Sequence, residues 1–173
     1  MRKLLKRLLG KPEATDPQNN VWVIRQGISV ELDEVGAARM TGDLKRMMAA
    51  LKIKTNPIDR HFLLMTIVQE TYKQRKKEKM AATCAQVAKM HLAELPEMLG
   101  PLKKDLDGIL PRITTFQHYA TLLTEQGDYQ RAIKVCESAV AIGLADGTKS
   151  GFEGRIKRIR KQKEKREGKP KEQ

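Results

Sequence analysis

The chain has little of what several kinds of protein depend on. Only two cysteines occur in 173 residues, Cys84 and Cys136, far apart and each within a helical pattern. A zinc site or redox pair calls for close spacing such as Cys-x-x-Cys, so both are read as reduced thiols packed as small apolar side chains. Aromatic residues make up 4 % of the chain. No apolar run approaches the roughly 18 residues that span a bilayer. The two leucine pairs of MRKLLKRLLG are too short for a secretory signal core. His61, His91 and His118 are scattered, with no His-Glu-x-x-His and no ligand spacing. Each is expected to be a hydrogen-bonded or exposed helix residue. Phosphate-cradling glycine loops, Gly-x-Ser-x-Gly elbows and acidic pairs inside apolar helices are also missing. These absences predict no enzyme, no metal and no cofactor, in a soluble protein of a reducing, cytoplasmic compartment.

What is present is charge and helix-forming side chains. Charged residues reach 32 % and hydrophobic residues 40 %, with a net charge of +13. The excess is confined to three blocks. Residues 1–11 carry five bases and no acids, Lys73 to Lys79 five bases and one acid, and Arg155 to Gln173 ten bases and three acids. The remainder is close to neutral. Such blocks attract polyanions, either nucleic acid or anionic lipid, and they also keep small proteins soluble.

Leu4, Leu5, Leu8 and Leu9 fall on one side of a short helix, opposite Arg2, Lys3, Lys6 and Arg7. That arrangement suits a membrane surface, a frayed end, or docking on the body. Pro12, Pro17 and Asn19-Asn20 read as a linker, so residues 1–20 are set apart. VWVIRQGISV, residues 21–30, is a short strand or an extended cover, with Trp22 expected to be packed. Asp43 caps a helix with Leu44, Met47, Met48 and Leu51 at i, i+3, i+4, i+7. Asn56-Pro57-Ile58-Asp59 starts a broadly apolar helix over about 57–74. A helix over about 78–94 follows, with Met80, Ala81, Cys84, Ala88, His91 and Leu95 near one side. Pro96, Gly100, Pro101, Gly108 and Pro111 then predict a broken connector holding one short helix around Leu102–Leu106.

Helical period returns at Ile113, with Phe116, Tyr119 or Ala120, and Leu123 inward. Gly127 suits the left-handed position that ends a helix, and Asp128 caps the next. Ala132 and Ala139 lie seven residues apart, on one face with Cys136 between them, so two helices can approach closely, with Tyr129 plugging the turn. Phe152, Ile156 and Ile159 form the apolar stripe of a final, otherwise basic helix. The domain is taken as residues 21–165, with 166–173 expected to be a disordered basic tail.

The segment from Ile113 to Asp146 resembles a tetratricopeptide repeat, a helix–turn–helix unit of about 34 residues. Gly127, Asp128, Tyr129, Ala132, Ile133 and Ala139 match its pattern directly. Phe116 stands at the usual tryptophan, Ala120 at the small residue and Leu123 at the usual tyrosine. Cys136 replaces an aromatic and Leu144 the closing proline. A degenerate copy over 62–95 places Ala81 and Ala88 at the alanines and Tyr72 at the tyrosine. The resemblance implies an all-α fold: a short α-solenoid of such hairpins closed by a C-terminal capping helix.

It further implies a non-enzymatic adaptor for a protein or peptide, with Gln117, Thr121, Thr124 and Glu125 facing the groove. These lack the Lys/Asn/Arg set of the members that bind chaperone tails, so no preference for an acidic C-terminal peptide is expected. Two alternatives stand beside this. Arg155, Lys157, Arg158, Arg160 and Lys161 could bind nucleic acid, without stacking aromatics beyond Phe152. Residues 1–10 could attach the protein peripherally to a membrane. No small-molecule substrate is expected.

Overall fold

A computed structural model describes residues 21–25 and 27–168. The amphipathic segment 1–10, the linker to residue 20 and residues 169–173 lie outside it. Within it the chain is mostly helical, with a two-stranded hairpin preceding seven helices.

The hairpin pairs β1 (Trp22–Arg25) with β2 (Ile28–Glu31) in antiparallel register, Trp22 opposite Glu31 and Arg25 opposite Ile28. Gly27, at φ 79°, supplies the left-handed backbone that the tight turn needs. Residues 21–30 thus settle as a strand pair. The Arg25 guanidinium ties the hairpin to the body, its Nη2 donating to Asp59 Oδ1 at 2.6 Å and its Nε to Oδ2 at 3.3 Å. Trp22, expected to be packed, is instead exposed on the outer face. Strand alternation explains this: Val23 and Arg25 turn toward the body, so Trp22 and Ile24 turn away.

Two short helices of about two turns each follow, α1 (Glu34–Met40) and α2 (Leu44–Ala50). Each starts on an aspartate: Asp33 accepts from the Gly36 amide, and Asp43 from those of Lys45 and Arg46. Helix α3 (Pro57–Lys73) starts as its sequence predicts, with Asn56 Oδ1 accepting from the amides of Ile58 and Asp59 and proline at the first position. Ile58, Leu63, Leu64, Ile67 and Val68 are buried, which makes α3 the central helix of the core.

Helix α4 (Glu78–Asp105) corrects the expected broken connector: it runs straight through Pro96, Gly100 and Pro101. Each proline removes one backbone hydrogen bond and crowds the preceding turn, at about 3 kcal/mol. The apolar period continues across both, burying Leu95, Met98 and Leu102 and half-burying Leu92 and Leu99. At about 1.5–3 kcal/mol per buried side chain, that stripe outweighs the two prolines. The helix stops where Asp107 and Gly108 turn left-handed, at φ 50° and 86°. The separate short helix expected around Leu102–Leu106 is therefore the end of α4.

Helix α5 (Thr114–Glu125) lies against both α3 and α4, α6 (Tyr129–Ala141) packs on α5, and α7 (Gly151–Glu167) packs on α6. Between α5 and α6, Gly127 sits at φ 82°, and Asp128 accepts from the Arg131 amide. Ala120, Ala132, Cys136 and Ala139 have no exposed surface, as the close approach of two helices demands. Tyr119 and Ala120, offered as alternatives, are both buried. Phe152, Ile156 and Ile159 seat α7 on the body, with the Phe152 ring edge-on to Phe116 at 6.2 Å. Helix α7 continues to Glu167, so ordered structure passes the expected boundary at residue 165. Its basic side chains stay solvated on one side while the stripe pays the ordering entropy on the other.

Candidate functional site

Helices α5 and α7 both lean on α6 and leave a groove of about 600 Å³ between them. One wall is Thr121, Thr124 and Glu125 of α5. The other is Arg155, Arg158, Gln162, Lys165 and Arg166 of α7, spaced so that they share one helical face. Tyr129 and Ile159 complete the lining. The groove thus joins residues expected to meet a partner with residues expected to meet a polyanion.

The hydrogen bonds decide which of these groups are available. Thr121 Oγ1 donates to the Gln117 carbonyl at 2.8 Å and accepts from Arg155 Nη1 at 3.1 Å. Thr124 Oγ1 donates to the Ala120 carbonyl at 2.7 Å. Arg155 also reaches Asp146 Oδ2 through Nε at 3.3 Å and Nη2 at 3.2 Å. Asp146 is itself buried; burial alone would raise its carboxyl, but the Thr148 hydroxyl and amide and the Arg155 guanidinium outweigh it and hold the carboxyl below its usual range. Arg155 is therefore a structural bracket joining α5, α7 and the loop before α7.

Glu125 is neutralised from the other side. Arg75, in the turn after α3, donates to it through Nε at 2.7 Å and Nη2 at 2.8 Å. That bidentate bond holds the Glu125 carboxyl below its usual range. The same guanidinium lies 4.1 Å over the Tyr72 ring, so Arg75 is held against the body and is not free in the basic block of residues 73–79. Arg158 has only the Ser150 hydroxyl, at 3.1 Å, and among the described residues Lys165 and Arg166 have no ion-pair partner. Three cations line one wall with no counter-charge opposite them.

The remaining predicted residues lie elsewhere. Gln117 accepts from Arg112 Nη2 at 2.7 Å and does not line the groove. Arg160 turns toward α6, 3.7 Å from Glu137. Lys157 and Lys161 are exposed away from the groove. Gln162 and Lys165 were missed because the basic set was read only as far as Lys161, and Arg166 because it falls in the segment 166–173 expected to be a disordered tail. Their spacing of seven, ten and eleven residues from Arg155 was the available signal.

The histidines are scattered only in sequence. His91 Nε2 lies 2.9 Å from His61 Nδ1, and His91 Nδ1 lies 2.7 Å from Thr115 Oγ1, forming a fully buried chain across α4, α3 and α5. One proton serves the His–His contact, burial favours the neutral form of both rings, and His61 Nε2 is left buried with no hydrogen-bond partner among the described residues. Burial lowers His61 to about 4; burial, then the neighbouring His61 and Arg60, lowers His91 to about 3. His118 stacks on Tyr72 with ring centroids 4.4 Å apart. Cys84 and Cys136 are buried free thiols, and burial pushes Cys136 up to about 11, so neither is a nucleophile at neutral pH. Among the described residues, no three of His, Cys, Asp and Glu are grouped to hold a metal ion. No helix there is long and apolar enough to cross a membrane.

No model of a known protein family matches the chain, and no solved structure matches it. An uncharacterised protein of Aquifex aeolicus (strain VF5) is 32 % identical over 88 residues, which span 51 % of this chain and 41 % of that protein. The chain is similar to part of that protein.

Proposed function

We propose that the chain is a non-enzymatic helical adaptor, and that the α5–α7 groove receives an acidic segment of a protein partner. The observation that carries this reading is the wall formed by Arg158, Lys165 and Arg166, left without counter-charge while Glu125 is occupied by Arg75. The resemblance to a tetratricopeptide repeat belongs to the same proposal: α3–α4 and α5–α6 are its two units and α7 its capping helix. The packing order, each helical pair against the next, supports it. The cations come from α7, so binding does not require the basic set on α5 used by chaperone-tail binders, nor a free C-terminal carboxylate on the peptide.

Nucleic acid is the weaker reading of the same helix. Phe152, the one aromatic of α7, is 2 % exposed and engaged with Phe116, which leaves only Tyr129 of the groove lining to stack on a base. Fluorescence anisotropy with a labelled Glu-rich peptide tests the adaptor reading, with its Gln counterpart and an equally charged single-stranded DNA as comparisons. The Glu peptide binds, free or amidated at its C-terminus. The triple variant R158E/K165E/R166E weakens it by about tenfold or more, and K157E/K161E, on the outward side, much less. Equal loss from both variants, or tighter binding of the DNA, overturns the proposal.

A further inference from the structure

We propose that the α5–α7 groove selects its ligand by the spacing of acidic side chains. It takes an extended segment with two carboxylates four residues apart and an uncharged residue midway between them. This rests on the adaptor reading and carries it from the sign of the ligand's charge to its arrangement. The cations of the α7 wall do not form one cluster. The Arg158 guanidinium lies back along the first turn of α7, its Nη1 3.1 Å from the Ser150 hydroxyl. Arg166 lies by the turn between α5 and α6, where a Cβ on Gly127 would stand 3.2 Å from its Nη1, and Lys165 adjoins it. Arg158 and Arg166 are eight residues apart, which is about 12 Å along the helix axis, and the side chains of one helix tilt the same way. Between these two charged ends the groove is lined by Thr124, Tyr129, Ile159 and Gln162, none of them charged. Glu125, beside them, is held by Arg75.

One carboxylate cannot meet both ends, because it accepts hydrogen bonds only within about 3 Å. Two adjacent acids do no better, since neighbouring side chains of an extended chain point to opposite sides. Side chains return to one side every second residue, at about 6.7 Å, and again at the fourth, at about 13 Å. The fourth matches the separation of the cationic ends. The residue midway then faces Tyr129 and Gln162 and needs no charge. A helical ligand would reach the same separation with acids seven or eight residues apart, but its backbone groups are consumed internally. The Gln162 amide and the Tyr129 hydroxyl have no hydrogen-bond partner among the described residues, and both line the groove. An extended chain offers them free N–H and C=O groups, which favours that form.

Peptides of identical composition separate spacing from charge, because long-range attraction to a chain of net charge +13 is the same for each of them. Labelled peptides carry two glutamates that are adjacent, four residues apart or seven residues apart. Anisotropy is measured with the intact chain at about 0.15 M salt, where the screening length of about 8 Å is shorter than the distance between the cationic ends. The peptide with acids four apart binds about fivefold more tightly than the one with adjacent acids. Arg158→Gln lowers it to the level of the adjacent-acid peptide, and so does K165Q/R166Q. The adjacent-acid peptide, which uses one end at a time, loses at most about twofold to either variant. Equal binding of all three peptides, with the Glu-rich peptide still bound, overturns the spacing rule and leaves the adaptor reading standing. Tightest binding of the peptide with acids seven apart assigns a helical ligand and overturns the extended one. No binding by any peptide, the Glu-rich one included, overturns both.

Discussion

The two helical hairpins, α3–α4 and α5–α6, differ in how they turn and in what they bury. In α5–α6 the contact is lined by Ala120, Ala132, Cys136 and Ala139, and the turn is made by a left-handed glycine followed by a capping aspartate. In α3–α4 large side chains of α3 meet Cys84 and Ala88 of α4, both fully buried, the turn from Gln74 to Lys77 contains no glycine, and Lys77 offers no side-chain cap. The α3–α4 pair also buries two imidazoles, which α5 joins through Thr115. The difference shows what each closure demands. Small side chains let backbones approach without any polar compensation, whereas the polar core is held by the His61–His91–Thr115 bonds and by rings that stay neutral, at the cost of an unpaired His61 Nε2.

Acid should therefore weaken the fold chiefly through the histidine chain that joins α3, α4 and α5. His61 and His91 titrate near 4 and 3 when folded, below the ordinary 6.5, so the unfolded chain binds more protons between pH 6.5 and 4. Stability is complete above that window and falls as pH drops through it. At pH 5 each ring costs about 2 kcal/mol, or about 4 kcal/mol for the pair. The urea midpoint at pH 7.5 and pH 5.0 measures this. Replacing the chain by H61L/H91L/T115V removes most of the fall and leaves the shallower part due to His118, also lowered to about 4 by burial and nearby Arg112, Arg155, Arg75 and Lys73. An unchanged pH dependence in that variant would contradict the neutral-ring account.

The second hairpin is broken by size. Ala139→Leu drives a larger side chain into a fully buried contact and costs about 2–3 kcal/mol in urea or thermal unfolding. Ala141→Leu, two residues along on the exposed side, costs about 0.5 kcal/mol or less. At the turns the contrast is smaller and in the same direction. Gly127→Ala places a side chain at φ 82° and its Cβ 3.2 Å from Arg166 Nη1, for a loss of about 1–2 kcal/mol. Gln74→Gly, at a φ of −104°, costs well under that, about 0.5 kcal/mol.

The α5–α6 hairpin was the more legible in sequence. Gly127, Asp128 and the alanine spacing are local signals whose physics acts within a few residues. Asn56-Pro57 and Asp43 were readable as caps on the same ground. Pro96 and Pro101 misled because proline is a local signal overridden here by a longer one, the stripe through Leu95, Met98 and Leu102. Trp22 misled because β alternation fixes which side chains turn outward only once the register is known. The histidine chain was invisible, since 30 residues separate His61 from His91 and no spacing rule joins residues on different helices. The α5–α7 groove was half visible: its α5 wall and the first part of its α7 wall were named separately, as two surfaces rather than one.

The smallest effect tests how the two hairpins are coupled. Arg75 belongs to the first and Glu125 to the second, and their bidentate bond at 2.7 and 2.8 Å is half-exposed. Such a pair contributes about 0.5–1 kcal/mol, so Arg75→Ala should cost little stability, and a double-mutant cycle with Glu125→Ala should return a coupling of that size, reduced by salt. Its effect on binding is of a different kind. Without Arg75, Glu125 remains ionised and faces the cations of α7 across the groove, so an acidic peptide meets a competing carboxylate and binds a few-fold more weakly. Restoring the affinity by adding Glu125→Ala would show that Arg75 serves the groove by occupying Glu125, while a loss that persists in the double variant would assign Arg75 a direct contact with the peptide.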